Sequence, residues 1–520
     1  MEYNLPSEIV KNLAFGDEAK SKVFAGVQKL TNAVKSTLGA SGKCVIYEDA
    51  MGKPVVTKDG VTVANSVILE DSLENIGATL VKQAAQATVK EAGDGTTTST
   101  VLAHSILNEL ATLPKEMTMR DARLEMDAAL VKINRYLDSN KIDVEKEMLY
   151  QVATISANND KELGELIGGA YEAVGNTGVV LMEESETEET FVEKVNGVQF
   201  DCGIKSPHLV TEKEKGTSTL ENPYVLIVAS EIPNIRKIQN VLEHCIKEKR
   251  SLLIVAPVAQ QPFSALLMNK VKGNIKVNIV DLPGFGTTKR DTIEDLAIIT
   301  GAKVIDEQLG DDLDLIDPSV LGAALKSVTD NNNTVITIPE MPQGALDRIS
   351  VVEKSIADEK DGFIKKKLEQ RLAMLTGAVS IVNVGANSKV ELKEKKDRVE
   401  DAIYAVKAAI KEGIVPGGGV ALLDASNNIS VQGQAGMALM KAITAPYTTI
   451  LENAGLEPEI ISRRGWGINV ATGKKCNMVK HGIVDPVLVT KAALKNAISV
   501  ATTITSADCV ISNVRDYASS

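Results

Sequence analysis

The sequence predicts a multidomain α/β protein in which a β-rich middle is inserted between two mainly helical ends. Three observations predict it. The chain has 520 residues, far more than one hydrophobic core usually organises, so about two to four domains are expected. Apolar residues recur at helical spacing toward both ends. Between them, short β-like runs alternate with helical patterns, as in α/β domains.

In chain order, Val23, Val27, Leu30, Val34 and Leu38 mark a helix from Ser21 to Leu38. VIYEDA and KPVVTKDG then read as short strands punctuated by glycine. A second helix is expected over about Ile76 to Glu91 and a third after Gly95, joined by the turn AGDGTTTST. The middle carries VVLMEE, YVLIVAS, SLLIVAPV and KVNIVDLPG, with the helical NIRKIQNVLEHCIKEK among them. The acidic run EESETEE reads equally as a solvated loop or a boundary. Helix returns after about Glu353, through KKKLEQRLAML and KEKKDRVEDAIYAVKAAIKEG. VPGGGVALL, RRGWGINVATG and HGIVDP interrupt the last third.

Composition excludes several classes. A net charge of −12 argues against broad phosphate-backbone binding, so no nucleic-acid partner is expected. Aromatic residues are 3%, too few for a stacking platform. The five cysteines form no C-x-x-C pair and the four histidines no H-E-x-x-H, which leaves neither a disulfide framework nor a zinc ligand set. Without a secretory pattern or a long apolar run, the expectation is a cytoplasmic protein with no membrane partner. GINVATGKK has one residue too many for a phosphate loop and lacks its hydroxyl, DLPG reads as a strand-end turn, and no kinase signature set or nucleophile elbow occurs.

GDGTTTST carries the clearest chemistry. Gly93 and Gly95 let backbone approach a ligand closely. Thr96, Thr97 and Thr98 open a helix, where free N–H groups and the dipole favour an anion. Asp94 would repel a phosphate unless a cation lay between them, which points to Mg2+. TLGASG and TKDG are turns of similar composition, each by itself more typical of a cap. Asp401, on a helix with the apolar stripe Val399, Ile403, Val406 and Ile410, reads from pattern alone as a solvated position.

Seven blocks then occur in a familiar order: TLGASG, TKDGVTVA, GDGTTTSTVLA, ATISANND, KEKKDRVEDAI, VPGGGVALL and GIVDP. From about Phe15 to Ile511 the chain resembles the group I chaperonins, the GroEL type, as a divergent member. The resemblance implies a mainly helical equatorial ATP-binding domain (1–138 and 412–520), a small α/β intermediate hinge domain (139–195 and 380–411) and an α/β apical domain (196–379). It implies nucleotide contacts at Thr37, Leu38, Gly39, Lys58, Asp59, Gly60, Gly95, Thr96, Thr97, Thr98, Ile155, Ser156, Gly417, Gly418, Asn469, Ala471 and Asp485. Asp94 matches the magnesium-binding aspartate; Asp59 and Asp401 match the carboxylates that orient or activate water. ATP and Mg2+ are the implied cofactors, with potassium a second candidate cation.

The same resemblance places Ile204, Leu209, Leu242, Phe263, Leu267 and Met268 on an apical surface for non-native clients and a lid. It implies heptameric self-association. The stretch from Phe200 to Pro223 leaves no room for a built-in lid, so a separate GroES-type co-chaperonin is expected. His208 stands where an aromatic is usual and Gln239 where leucine is usual, Ala40 replaces a proline, Ala378 replaces one of two hinge glycines beside Gly377, and RDYASS lacks a Gly-Gly-Met tail. The expected activity is an ATPase coupled to protein folding. Two alternatives are a ring that holds unfolded chains with little turnover and a small-molecule phosphotransferase.

Overall fold

The computed structural model describes residues 10–49, 51–114, 116–175, 178–213, 216–283, 289–312, 316–359, 361–376 and 378–513. Gly377, the last residue of DLPG, RDYASS and nearly all of MEYNLPSEIV lie outside the described residues. Helices α1 (Gly16–Lys35), α2 (Gly60–Ser66), α3 (Ser72–Ala92), α4 (Thr96–Leu110), α5 (Met119–Asn140), α6 (Lys146–Ser156) and α7 (Lys161–Val174) precede the β-rich middle. That middle contains α8 (Gln239–Glu248), α9 (Gln260–Val271), α10 (Lys289–Thr300), α11 (Gln343–Asp358) and α12 (Gly362–Leu375). After it come α13 (Lys389–Glu412), α14 (Val420–Asn428), α15 (Gln434–Ala442), α16 (Ala445–Asn453) and α17 (Val487–Ser506).

The chain divides into two compact units: Met1–Gly169, Met182–Phe191 and Asn383–Ser520 form one, Ala170–Leu181 and Val192–Val382 the other. In the first unit, α1, α3, α4, α5 and α17 share a core that includes the fully buried Leu30, Leu102, Ile106, Met126, Ile133 and Leu494. Strands Lys11–Phe15 and Cys509–Asn513 pair antiparallel, with Leu13 opposite Ile511. Among the described residues, α17 is long and apolar enough to cross a membrane, but 67% of that stretch is buried among its neighbours, as a core helix is.

The first helix shows how local sequence sets these elements. Asp17 and Glu18 lie in the first turn of α1 and Lys35 in its last, matching the dipole. Val23, Val27, Leu30 and Val34 form its buried stripe. The helix begins before Ser21 and stops short of Leu38, because the N–H groups of Thr37 and Leu38 turn back onto the Val34 and Lys35 carbonyls. Thr37–Gly39 is thereby released as a turn.

Gly26 lets α1 approach α3: a Cβ there would sit 1.8 Å from the Glu74 carbonyl oxygen. Backbone cannot yield as a side-chain tip can. Gly26→Ala is therefore expected to destabilise the first unit by about 3 kcal/mol. A lowered calorimetric melting temperature would register this; an unchanged one would show that the helices slide apart freely.

The second unit contains a sheet ordered Val304–Ile305, Tyr224–Val228, Leu252–Val255, Val277–Val280 and paired in parallel, with Gly322–Ala323 antiparallel on Tyr224–Val228. Leu252–Val255 and Val277–Val280 are buried along their whole length, which explains the apolar run LLIV; in the second strand Asn278 is buried too, its amide donating to Thr329 Oγ1 at 2.8 Å. A second sheet, chiefly in this unit, is ordered Val179–Glu184, Ala378–Val384, Phe191–Phe200, Thr334–Ile338, Lys326–Thr329 and Ser218–Glu221. Asp295 is buried and receives Arg348 Nε at 2.9 Å and Arg371 Nε at 2.6 Å, so its charge is paired.

Candidate functional site

A cavity of about 650 Å³ opens within the first unit. Its walls come from separate stretches of chain: the turn after α1, the start of α2, the α3–α4 turn, the end of α6, one face of α13, and the loops around 418, 470 and 485. Of the nucleotide residues expected from sequence, all but Gly417 line it. Gly417 sits just behind, where a Cβ would lie 2.8 Å from the Val484 backbone.

The α3–α4 turn is built by two glycines. Gly93 ends α3 with φ +79°, and Gly95 precedes α4 with φ +99°, values that suit glycine best. No side chain caps α4 at Gly95. The Thr96 hydroxyl is buried without a hydrogen-bond partner, as is that of Ser99. An uncapped helix start with an orphaned buried hydroxyl is suited to an anion.

Asp59 has a second duty, the cap that the TKDG turn suggests when taken by itself. It is the N-cap of α2, its two carboxylate oxygens accepting from Val61 N–H at 3.0 Å and Thr62 N–H at 2.7 Å. Those bonds fix the carboxylate while lone pairs remain. Lys58, beside it, is exposed and makes no ion pair among the described residues.

Acidic groups dominate the electrostatics. Burial, then repulsion from Asp94 and Asp59, pushes the Asp401 carboxyl well above the usual range. Asp94 is also raised, by burial and by Asp59, while the Gly95 N–H works against the shift. Asp485 is pushed up to about 6 by burial and by Asp94, although the Gly419 and Gly418 N–H groups donate to it. Asp397, not singled out from sequence, also lines the cavity and is raised to about 7, by burial first and then by Asp59. Gly419, Tyr150, Gln151 and His481 are further lining residues that the sequence left unmarked.

These shifts give a pH dependence of defined sign. The folded state holds protons on Asp397 and Asp485 that an unfolded chain, with carboxyls near 3.9, releases earlier. The ligand-free protein should therefore lose stability as pH rises from about 4 through 7. Melting temperature against pH reads this directly, and a rise over that interval would contradict the cluster.

Among the described residues, no three His, Cys, Asp or Glu side chains converge to hold a metal by themselves. Magnesium asks for less: one or two carboxylates, with waters and phosphate oxygens completing the shell. Asp94 beside an uncapped helix start fits that donor set.

The residues expected on a client surface lie in the second unit. Met268 is 59% exposed. Ile204, Leu242, Phe263 and Leu267 are half-buried against a core under the parallel sheet. Leu209 is a correction: it is fully buried with Leu226, Ile254 and Leu266, and offers no surface. It closes the short 3-10 turn Pro207–Leu209, whose carbonyl end is held by the Lys270 ammonium of α9, so the side chain turns inward. His208 and Gln239 are exposed, Gln239 donating to Glu243 at 2.7 Å.

The site belongs to a mixed α/β, mostly helical protein with an anion- and cation-suited cavity carried by both chain ends. A family model described as TCP-1/cpn60 chaperonin matches residues 30–515, and the chain belongs to that family. Members are chaperonin ATPases, ATP-dependent chaperones of protein folding that act as oligomeric rings on client proteins. The fold is similar to that of chaperonin gp146 from bacteriophage EL 2 (Pseudomonas aeruginosa), crystallised in the presence of ATP-BeFx. In crystal form II the TM-score is 0.72 at 21% identity, covering 97% of this chain and 99% of that one. In crystal form I the TM-score is 0.64 at the same identity and coverage.

Proposed function

We propose that the chain is a subunit of a group I, GroEL-type chaperonin ring that hydrolyses ATP to enclose non-native proteins and promote their folding. The observation that carries this reading is the convergence in one cavity of Lys58, Asp59, Asp94, the threonines that open α4, and Asp401.

Phosphoryl transfer requires mainly positioning and charge neutralisation. The N–H groups and hydroxyls of Thr96, Thr97 and Thr98 hold phosphate oxygens, and Lys58 offsets their charge. Magnesium, held by Asp94, supplies further neutralisation of the phosphates when bound. Asp59, fixed by its cap bonds, orients the attacking water, and Asp401 accepts its proton. Asn469, Ala471 and Asp485 serve the base and ribose. In this reading Asp401 belongs to a hinge domain, so closure of that domain gates hydrolysis.

Ring assembly is supported by exposed apolar residues on two-stranded sheets. Leu13, Phe15 and Ile511 lie on one, Ile46 and Val56 on the hairpin Val45–Glu48 and Pro54–Thr57. Such edges are suited to pairing with another copy. Seven copies, a three-domain subunit and a separate lid are what the group I reading implies. Met268 and its half-buried neighbours provide the client groove.

The test is ATPase rate together with refolding yield of a denatured client, with and without a lid co-chaperonin. Lid-dependent recovery coupled to turnover is expected. Client capture without turnover or release would overturn the folding chamber in favour of a passive holder.

A further inference from the structure

Asp397 is a carboxylate that the scheme above leaves unused. It stands one turn before Asp401 on α13, at the i,i+4 spacing that puts two side chains on one helix face, and both line the cavity. Among the described residues it makes no ion pair. Burial along α13 is graded: residues 402–409 are largely buried, Asp401 and Asp397 are half-buried, and Lys393, one turn further out, is exposed. A path from Asp401 through Asp397 therefore runs from the interior toward water.

We propose that Asp397 is the second carboxylate of a proton relay, receiving from Asp401 the proton that the attacking water gives up during ATP hydrolysis. The inference rests on the reading of Asp401 as proton acceptor. In the step, the water oxygen bonds to the γ-phosphorus. The bond from that phosphorus to the β–γ bridging oxygen breaks, and the bridging oxygen keeps the electron pair. The water proton passes to Asp401, then to Asp397, and then to solvent. Asp397 acts through Asp401 and is a positioning residue, not one that touches the nucleotide.

The surroundings suit a group that gains and loses a proton at neutral pH. After burial, Asp59 is the strongest influence; Lys393 favours the charged form, while Glu400 and Glu394 oppose it. Toward the cavity α6 and α17 present only uncharged residues; α7 adds Glu165 and Lys161, α13 adds Arg398, and Asp94 and Asp485 are further acidic groups of the lining. The resulting value of about 7 lets Asp397 pass a proton on as readily as it accepts one.

The experiment measures single-turnover hydrolysis of bound Mg·ATP against pH in the assembled full-length protein, for wild type, Asp397→Asn and Asp397→Glu. Asp397→Asn should bind ATP normally, hydrolyse about tenfold more slowly and lose an inflection near neutral pH. Asp397→Glu should restore the rate and keep an inflection, displaced from its wild-type position. An Asn variant at wild-type rate, or a slowed one that keeps the inflection, overturns the relay. If the Asn variant fails to fold, the Glu variant decides: a displaced inflection supports the relay and an unmoved one overturns it. Absence of hydrolysis in wild type would instead overturn the ATPase reading itself.

Discussion

Asp401→Ala is expected to lower ATP turnover by at least about 100-fold while nucleotide binding persists. The two effects separate because Asp401 is a burden in the empty cavity. Its carboxyl is raised well above the usual range by burial and by Asp94 and Asp59, so it resists ionisation until positive charge arrives. Deleting it removes that repulsion, and affinity for Mg·ATP should be equal or tighter. Hydrolysis, by contrast, would lose the proton acceptor proposed above. Equilibrium binding of a fluorescent nucleotide beside steady-state phosphate release measures both. Unchanged turnover would remove Asp401 from the mechanism, and a matched loss of binding would make it a structural residue.

Gly93→Ala is expected to be almost as damaging from outside the chemistry. A Cβ at Gly93 would lie 2.4 Å from Tyr404 Cβ, and φ there is +79°, so the substitution meets both a clash and backbone strain. Tyr404 lies three residues after Asp401 on the same helix. Relief of the clash must either shift α13 or deform the turn that carries Asp94 and Gly95. A displacement of about 1 Å between reacting groups can reduce rate about 100-fold. Unlike Asp401→Ala, this variant should lose magnesium-dependent ATP binding together with turnover, because the turn itself moves. Normal binding and rate would show that the α3–α13 contact has slack.

Much of this protein was legible in its sequence, and the misses have specific causes. Helical spacing located α1, α3 and α4, since a stripe facing a core is a one-dimensional pattern. It misplaced the ends of α1, because termini depend on where backbone bonds turn back, as at Thr37 and Leu38. The glycine-threonine turn suggested anion chemistry from sequence alone, since backbone freedom and helix-start donors are local properties. Leu209 was misjudged because an apolar residue in a loop can point either way until a neighbour such as Lys270 anchors the loop. Asp397 passed unmarked because a charged helix residue reads as solvated when its surroundings are unknown.

By itself the sequence determined the local conformations, the acidic character, and the ordered blocks that mark the chaperonin resemblance. The resemblance grouped Asp59, Asp94, Asp401 and Asp485 at one expected site, but only the tertiary structure showed them lining one cavity and added Asp397 to it. Asp59, Asp94, Asp397, Asp401 and Asp485 are scattered along the chain, and α13 packing against α6 and α17 brings them to one space. Local preference acts over a few residues, whereas burial and charge repulsion depend on distance through space. No reading of spacing supplies that distance.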